Sequence, residues 1–122
     1  MGRDRIIVFG YGLMTNRITL VKSLIDLGFI KEDNDIFDIT SSPILKDVKV
    51  HIDPYSCDYS KVFLSLPRKH FYDDGKFCTG NGIMTNSPEF KPTSDEMAMF
   101  HKLADDLHIN HDIDYYMFLY GD

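Results

Sequence analysis

Residues 5–28 read RIIVFGYGLMTNRITLVKSLIDLG, and this stretch decides how the chain begins to fold. Arg5-Ile6-Ile7-Val8-Phe9 is a continuous apolar run ending at Gly10, the pattern of a buried strand. Gly10-Tyr11-Gly12 then reads as a flexible turn, and Thr15 or Asn16 as a helix cap. Ile18, Leu20, Val21, Leu24, Ile25 and Leu27 recur at helical spacing, and Gly28 is a natural residue just past a helix end. An amphipathic helix is therefore predicted over residues 16–27, with Phe29 and Ile30 folding back onto it.

Further along, turn residues alternate with short apolar runs. Residues 31–35 form a polar turn; Ile36, Phe37 and Ile39 suggest a short strand, broken by Ser41-Ser42-Pro43. Val48, Val50 and Ile52 alternate with Lys49 and His51, a half-buried strand ending at Asp53-Pro54. Lys61 to Leu66 is another strand, stopped by Pro67. His70-Phe71-Tyr72 and Lys76-Phe77-Cys78 flank Asp74-Gly75 as a hairpin, whose tight turn needs positive φ. Residues 80–92 read as loop. Thr93 or Ser94 caps a second helix, Thr93 with Glu96 fits a capping box, and Met97, Phe100, Leu103, Ala104 and Leu107 form its apolar stripe. Tyr115 to Tyr120 closes the chain as an aromatic strand, apolar on both faces and so expected to be central or to meet a partner.

The order β-α-β-β-β-hairpin-α-β predicts an α+β fold with a mainly antiparallel sheet, or a partial barrel, and two helices. With 122 residues and no repeat or linker, residues 1–122 are expected to form one globular domain. A hydrophobic fraction of 43% excludes a disordered tail. No apolar run approaches the ~18–20 residues that cross a bilayer, and no secretory leader is evident. Two cysteines are too few for a disulfide scaffold. The expected location is the cytoplasm, that of the host cell if the protein is viral.

The acids are 16 Asp against 3 Glu, a bias toward caps and turns rather than helix interiors. Phe, Tyr, Met, Ile, Asn and Lys total 48 residues against 19 for Gly, Ala, Arg and Pro, which implies an AT-rich coding sequence of the kind common in phages and low-GC bacteria. The net charge of −6 resides entirely in residues 93–122, where Lys102 is the only base. No basic footprint for nucleic acid is present. Asp105, Asp106, Asp112 and Asp114, with Tyr116 and Tyr120, are the candidate surface for a basic protein partner. A small, acidic, non-enzymatic inhibitor or regulator is the leading expectation, and a homodimer is compatible with it.

Weaker constellations stand beside it. Gly10-x-Gly12 lacks the third glycine of a dinucleotide fingerprint, and no Gly-Lys-Ser/Thr occurs. His101, Asp105 and His108 share one helix edge, with His111 and Asp112 past its end, but His101 and His108 are two turns apart, about 10 Å. Cys57 and Cys78 with His51 and His70 lack a paired-cysteine knuckle. Asp33, Asp35 and Asp38 lack the Gly and Glu positions of a calcium loop. No metal or cofactor is expected.

Val8-Phe9-Gly10-Tyr11-Gly12-Leu13-Met14 resembles the opening strand and Tyr-Gly turn of the γ-glutamylcyclotransferase-like family. In that family a Tyr-Gly-Ser/Thr-Leu turn binds the carboxylate end of the substrate. The resemblance implies a ligand pocket at Gly10, Tyr11, Gly12 and Leu13, and an enzyme as the alternative function. It spans about seven residues. Leu13 stands where the family has Ser or Thr, and Glu89 and Glu96 lack the sequence context of its catalytic Glu.

Overall fold

The computed structural model describes residues 6–31, 36–52, 60–73 and 91–120, with side chains over 8–31, 38–52, 60–67 and 91–118. Four strands form an open antiparallel sheet: β1 (Ile6–Asn16), β2 (Lys49–His51), β3 (Lys61–Asp73) and β4 (Ile113–Tyr120), in the order β2-β3-β1-β4. The α-helices are α1 (Arg17–Asp26), α2 (Ile36–Thr40) and α3 (Ser94–Leu107), with a 3₁₀ turn at Pro43–Leu45. The α+β architecture with an antiparallel sheet is as the sequence predicts. The hairpin turn at Asp74-Gly75 and both cysteines lie outside the described residues.

The expected turn at Gly10-Tyr11-Gly12 is instead the middle of β1, which runs unbroken to Asn16. Opposite it, β3 spends five residue steps from Ser65 to His70 where β1 spends two from Gly12 to Gly10. This bulge contains Pro67, so the proline interrupts the ladder without ending the strand. Gly12 is required for a different reason than a turn: a Cβ there would lie 2.0 Å from the Leu64 carbonyl oxygen and 2.9 Å from Ser65 Cα. The β1–β4 ladder crosses the same region without a shift.

Asn16 caps α1 by accepting a bond from Thr19 N at 2.9 Å. The helix ends as its sequence directs: Gly28 takes φ 83°, its N–H donates to Ile25 O at 3.0 Å, and Phe29 N–H donates to Leu24 O at 2.9 Å. Ile30 folds back into the core, whereas Phe29 stays exposed. Thr93 and Glu96 form the capping box of α3 through bonds of 3.1 and 2.8 Å. Of its stripe, Phe100, Leu103, Ala104 and Leu107 are buried, and Met97 is exposed.

The predicted strand at residues 36–39 is the short helix α2. Three clustered apolar residues fit either period, and local bonding selects the helix. Ser42 Oγ donates to Asp38 O at 3.1 Å and Ser42 N–H to Ile39 O at 3.3 Å. Ile39 and Leu45 then bury fully or nearly so.

Alternation along β1 divides the core. Tyr11 and Leu13 join Val62, Leu64 and Leu66 of β3 beneath α1 and α3. Burial of Leu20, Leu24 and Leu107 there stabilises the fold by about 1.5–3 kcal/mol per side chain. Val8 joins Phe63 and Phe118 on the other face. β4 pairs only with β1 among the described residues, so it is an edge strand rather than a central one. Its two faces are nonetheless used: Tyr115 packs on the helix side and Tyr116 on the other.

Candidate functional site

Five regions among the described residues carry side chains with chemical potential. The first is residues 10–13. Tyr11 and Leu13 are core residues, and Tyr11 meets Phe100 and Tyr115 edge-on at centroid distances of 5.8 and 5.3 Å. Gly10 and Gly12 are also buried. A ligand at these four residues would have to displace packed side chains or open the β1–β3 pair. The strand also replaces the Tyr-Gly turn that the family resemblance implies.

The second is the acidic C-terminal surface. Asp105, Asp106, Asp112 and Asp114 are all exposed. Tyr116 is half-buried, and the side chain of Tyr120 lies outside the described residues. Lys102 Nζ donates to Asp106 Oδ2 at 2.8 Å, which raises the Lys102 pKa through that bond and the carboxylate's charge. The acids also act on their neighbours. Burial raises the Tyr116 pKa first, and Asp112 and Asp114 add to it; burial and then Asp114 and Tyr115 raise that of Tyr11.

Histidines link the end of α3 to the segment before β4. His111 Nε2 lies 2.7 Å from Asp105 Oδ1, and His111 Nδ1 lies 2.8 Å from His101 Nδ1. A carboxylate only accepts, so His111 carries a proton on Nε2, and a single further proton joins the two Nδ1 atoms. His108 is not part of this chain; it ends α3 in the left-handed region at φ 55°. The structure therefore joins His101, Asp105 and His111 and leaves His108 out of the predicted helix-edge set. Among the described residues no group of three His, Cys, Asp or Glu is placed to hold a metal ion.

Two features carry no signal in the sequence. His51, expected to face outward from β2, is fully buried. Its Nε2 lies 2.8 Å from Ser65 Oγ, also fully buried, and its ring stacks on Phe63 at 5.7 Å. The partners are 14 residues apart on paired strands, and only the β2–β3 register brings them together. The pair resembles a nucleophile with its base, yet burial leaves it no path to substrate, and its evident role is to satisfy two polar groups inside the fold.

The other is a polar cleft of about 360 Å³ where β1 gives way to α1. Met14–Asn16, Thr19 and Lys61 line it together with Asn110, Asp112 and Tyr116. Backbone bonds tie these segments together: Arg17 N–H donates to Ser60 O at 2.9 Å and Met14 N–H to Asp112 O at 3.0 Å. The cleft begins one residue beyond the predicted ligand stretch and includes two residues of the predicted partner surface.

Comparison with known proteins adds no relative: no known family, no curated protein and no solved structure matches the chain.

Proposed function

We propose that this protein is a small acidic interaction protein, an inhibitor or regulator that docks its C-terminal surface on a basic protein partner. One observation carries the reading. The His111–Asp105 contact at 2.7 Å joins the 110–114 segment to α3, and the carboxylates at 105, 106, 112 and 114 on either side of it are all exposed. Lys102, the one base in the region, is already engaged by Asp106. Charges of this kind speed and orient encounter more than they tighten the final complex. Tyr116, at the edge of the acidic surface, supplies the aromatic contact that interfaces favour. The AT-rich coding bias fits a phage source, where small acidic inhibitors of host proteins would act in the host cytoplasm. No described helix is long and apolar enough to cross a membrane, and a membrane plays no part in this reading.

The test is the double reversal Asp105→Lys with Asp106→Lys. Both carboxylates are exposed and their pairs contribute at most about 1 kcal/mol, so the variant should stay folded. Immobilised wild-type protein should retain a basic host protein at low salt and release it at high salt, within the reach of Debye screening. The reversed variant should retain none. Equal capture by the two proteins, or capture insensitive to salt, rules the reading out.

A further inference from the structure

We infer that the cleft between the end of β1 and the start of β4 binds a small zwitterion, a molecule with a carboxylate at one end and an ammonium at the other. The inference goes beyond the docking surface and does not depend on it. A volume of about 360 Å³ lies within the roughly 300–1,000 Å³ typical of small-molecule sites. Three separate parts of the sequence, 14–19, 61 and 110–116, converge on it, and two of its lining side chains are oppositely charged: Lys61 and Asp112.

These two charges do not pair. Among the described residues neither has an ion-pair or hydrogen-bonding partner for its side chain, so they stand further apart than the 4.0 Å of a salt bridge. Both side chains line the polar cleft. Asn16 already uses Oδ1 to cap α1, so only its amide N–H donors remain for a ligand. Lys61 and Asn16 thus make a pole for an anionic group. Asp112 and the side-chain carbonyl of Asn110 make a pole for a cationic one, with the Tyr116 ring beside them.

The two poles also define what is refused. A lone anion satisfies Lys61 but faces Asp112; a lone cation satisfies Asp112 but faces Lys61. A zwitterion of matching length meets both at once, and discrimination arises from this pairing of attraction with repulsion.

The experiment is an NMR amide titration of the full chain with ω-amino acids of increasing charge separation: glycine, β-alanine, γ-aminobutyrate and ε-aminocaproate. Butyrate and butylammonium are the singly charged controls. One zwitterion should perturb residues 14–19, 61 and 110–116 with a Kd of about 1 mM or tighter, and each control should bind at least about tenfold more weakly. Lys61→Met and Asp112→Asn, both at exposed positions, should each weaken binding about tenfold while leaving the rest of the spectrum in place. The single variant Asp106→Lys, which leaves the His111–Asp105 contact in place, should bind the zwitterion as wild type does, which separates this site from the docking surface. The inference fails if no zwitterion perturbs these residues up to roughly 10 mM, if a control binds as well, or if both cleft variants bind unchanged.

Discussion

On the helix-covered face of the sheet, Tyr11, Leu13, Val62 and Leu64 pack with Leu20, Leu24 and Phe100 into a broad apolar core. On the opposite face, the buried apolar cluster among the described residues is Val8, Phe63 and Phe118, set beside the buried His51–Ser65 pair. The first face is held by volume, which many apolar combinations can fill. The second is held by contacts with direction: a hydrogen bond of 2.8 Å, a stacked ring, and a glycine pressed against a neighbouring carbonyl. Tolerance to substitution should differ accordingly, with small changes on the second face costing as much as larger ones on the first.

The largest effect is expected at Gly12. In Gly12→Ala the new methyl would lie 2.0 Å from Leu64 O, a backbone atom that cannot swing aside. The β1–β3 pair must separate beside its bulge, and we expect a loss of about 3 kcal/mol or more, a large part of an ordinary domain's stability. Urea unfolding measures it. A midpoint within error of wild type would mean that the bulge absorbs the methyl and that the second face is as adaptable as the first.

Ser65→Ala tests the polar pair directly. It removes one oxygen and leaves His51 Nε2 buried without this bond, for an expected loss of about 1–3 kcal/mol. Ile39→Val on the helix side deletes a comparable volume and should cost about 1 kcal/mol. If the two variants unfold at the same denaturant concentration, the hydrogen bond adds nothing beyond packing and the contrast between the faces is one of size alone.

How far the sequence announces these features depends on the range of the forces involved. Asn16, Gly28, Thr93 and Glu96 act within one helical turn, so their roles can be read from their neighbours. Gly10 and Gly12 mislead because glycine serves two purposes, permitting positive φ and permitting close approach; only the Leu64 backbone, 52 residues away, shows that Gly12 serves the second. Pro67 misleads likewise, since a bulge accommodates a residue that a regular ladder rejects. The acidic quarter is plain in composition, but the link between α3 and the segment before β4 rests on His111 reaching back to Asp105. The cleft has no local signature at all, because its two charges lie at positions 61 and 112 and meet only through the sheet.

The smallest effect is also the most discriminating, because a tyrosine reports from each face. Tyr11 lies on the helix side and Tyr116 on the other, and burial raises the pKa of both above the ordinary phenol value. The carboxylates reach them unequally: Asp114 acts on both, whereas Asp112 acts on Tyr116. Asp112→Asn should therefore lower the midpoint of Tyr116 and leave that of Tyr11 in place, while Asp114→Asn should lower both. Since burial is the larger cause, neither substitution should return a midpoint fully to about 10. The stability consequence has a definite sign. A phenol whose pKa is higher folded than unfolded binds its proton more tightly in the native state, so its contribution is complete below about pH 10 and is lost as pH rises through the folded value. Tyrosinate absorbance, with Tyr11→Phe and Tyr116→Phe to assign the two transitions, makes the measurement. A shift of Tyr11 on neutralising Asp112 would show that Asp112 reaches both faces as Asp114 does, and that the two faces are one electrostatic environment despite their different packing.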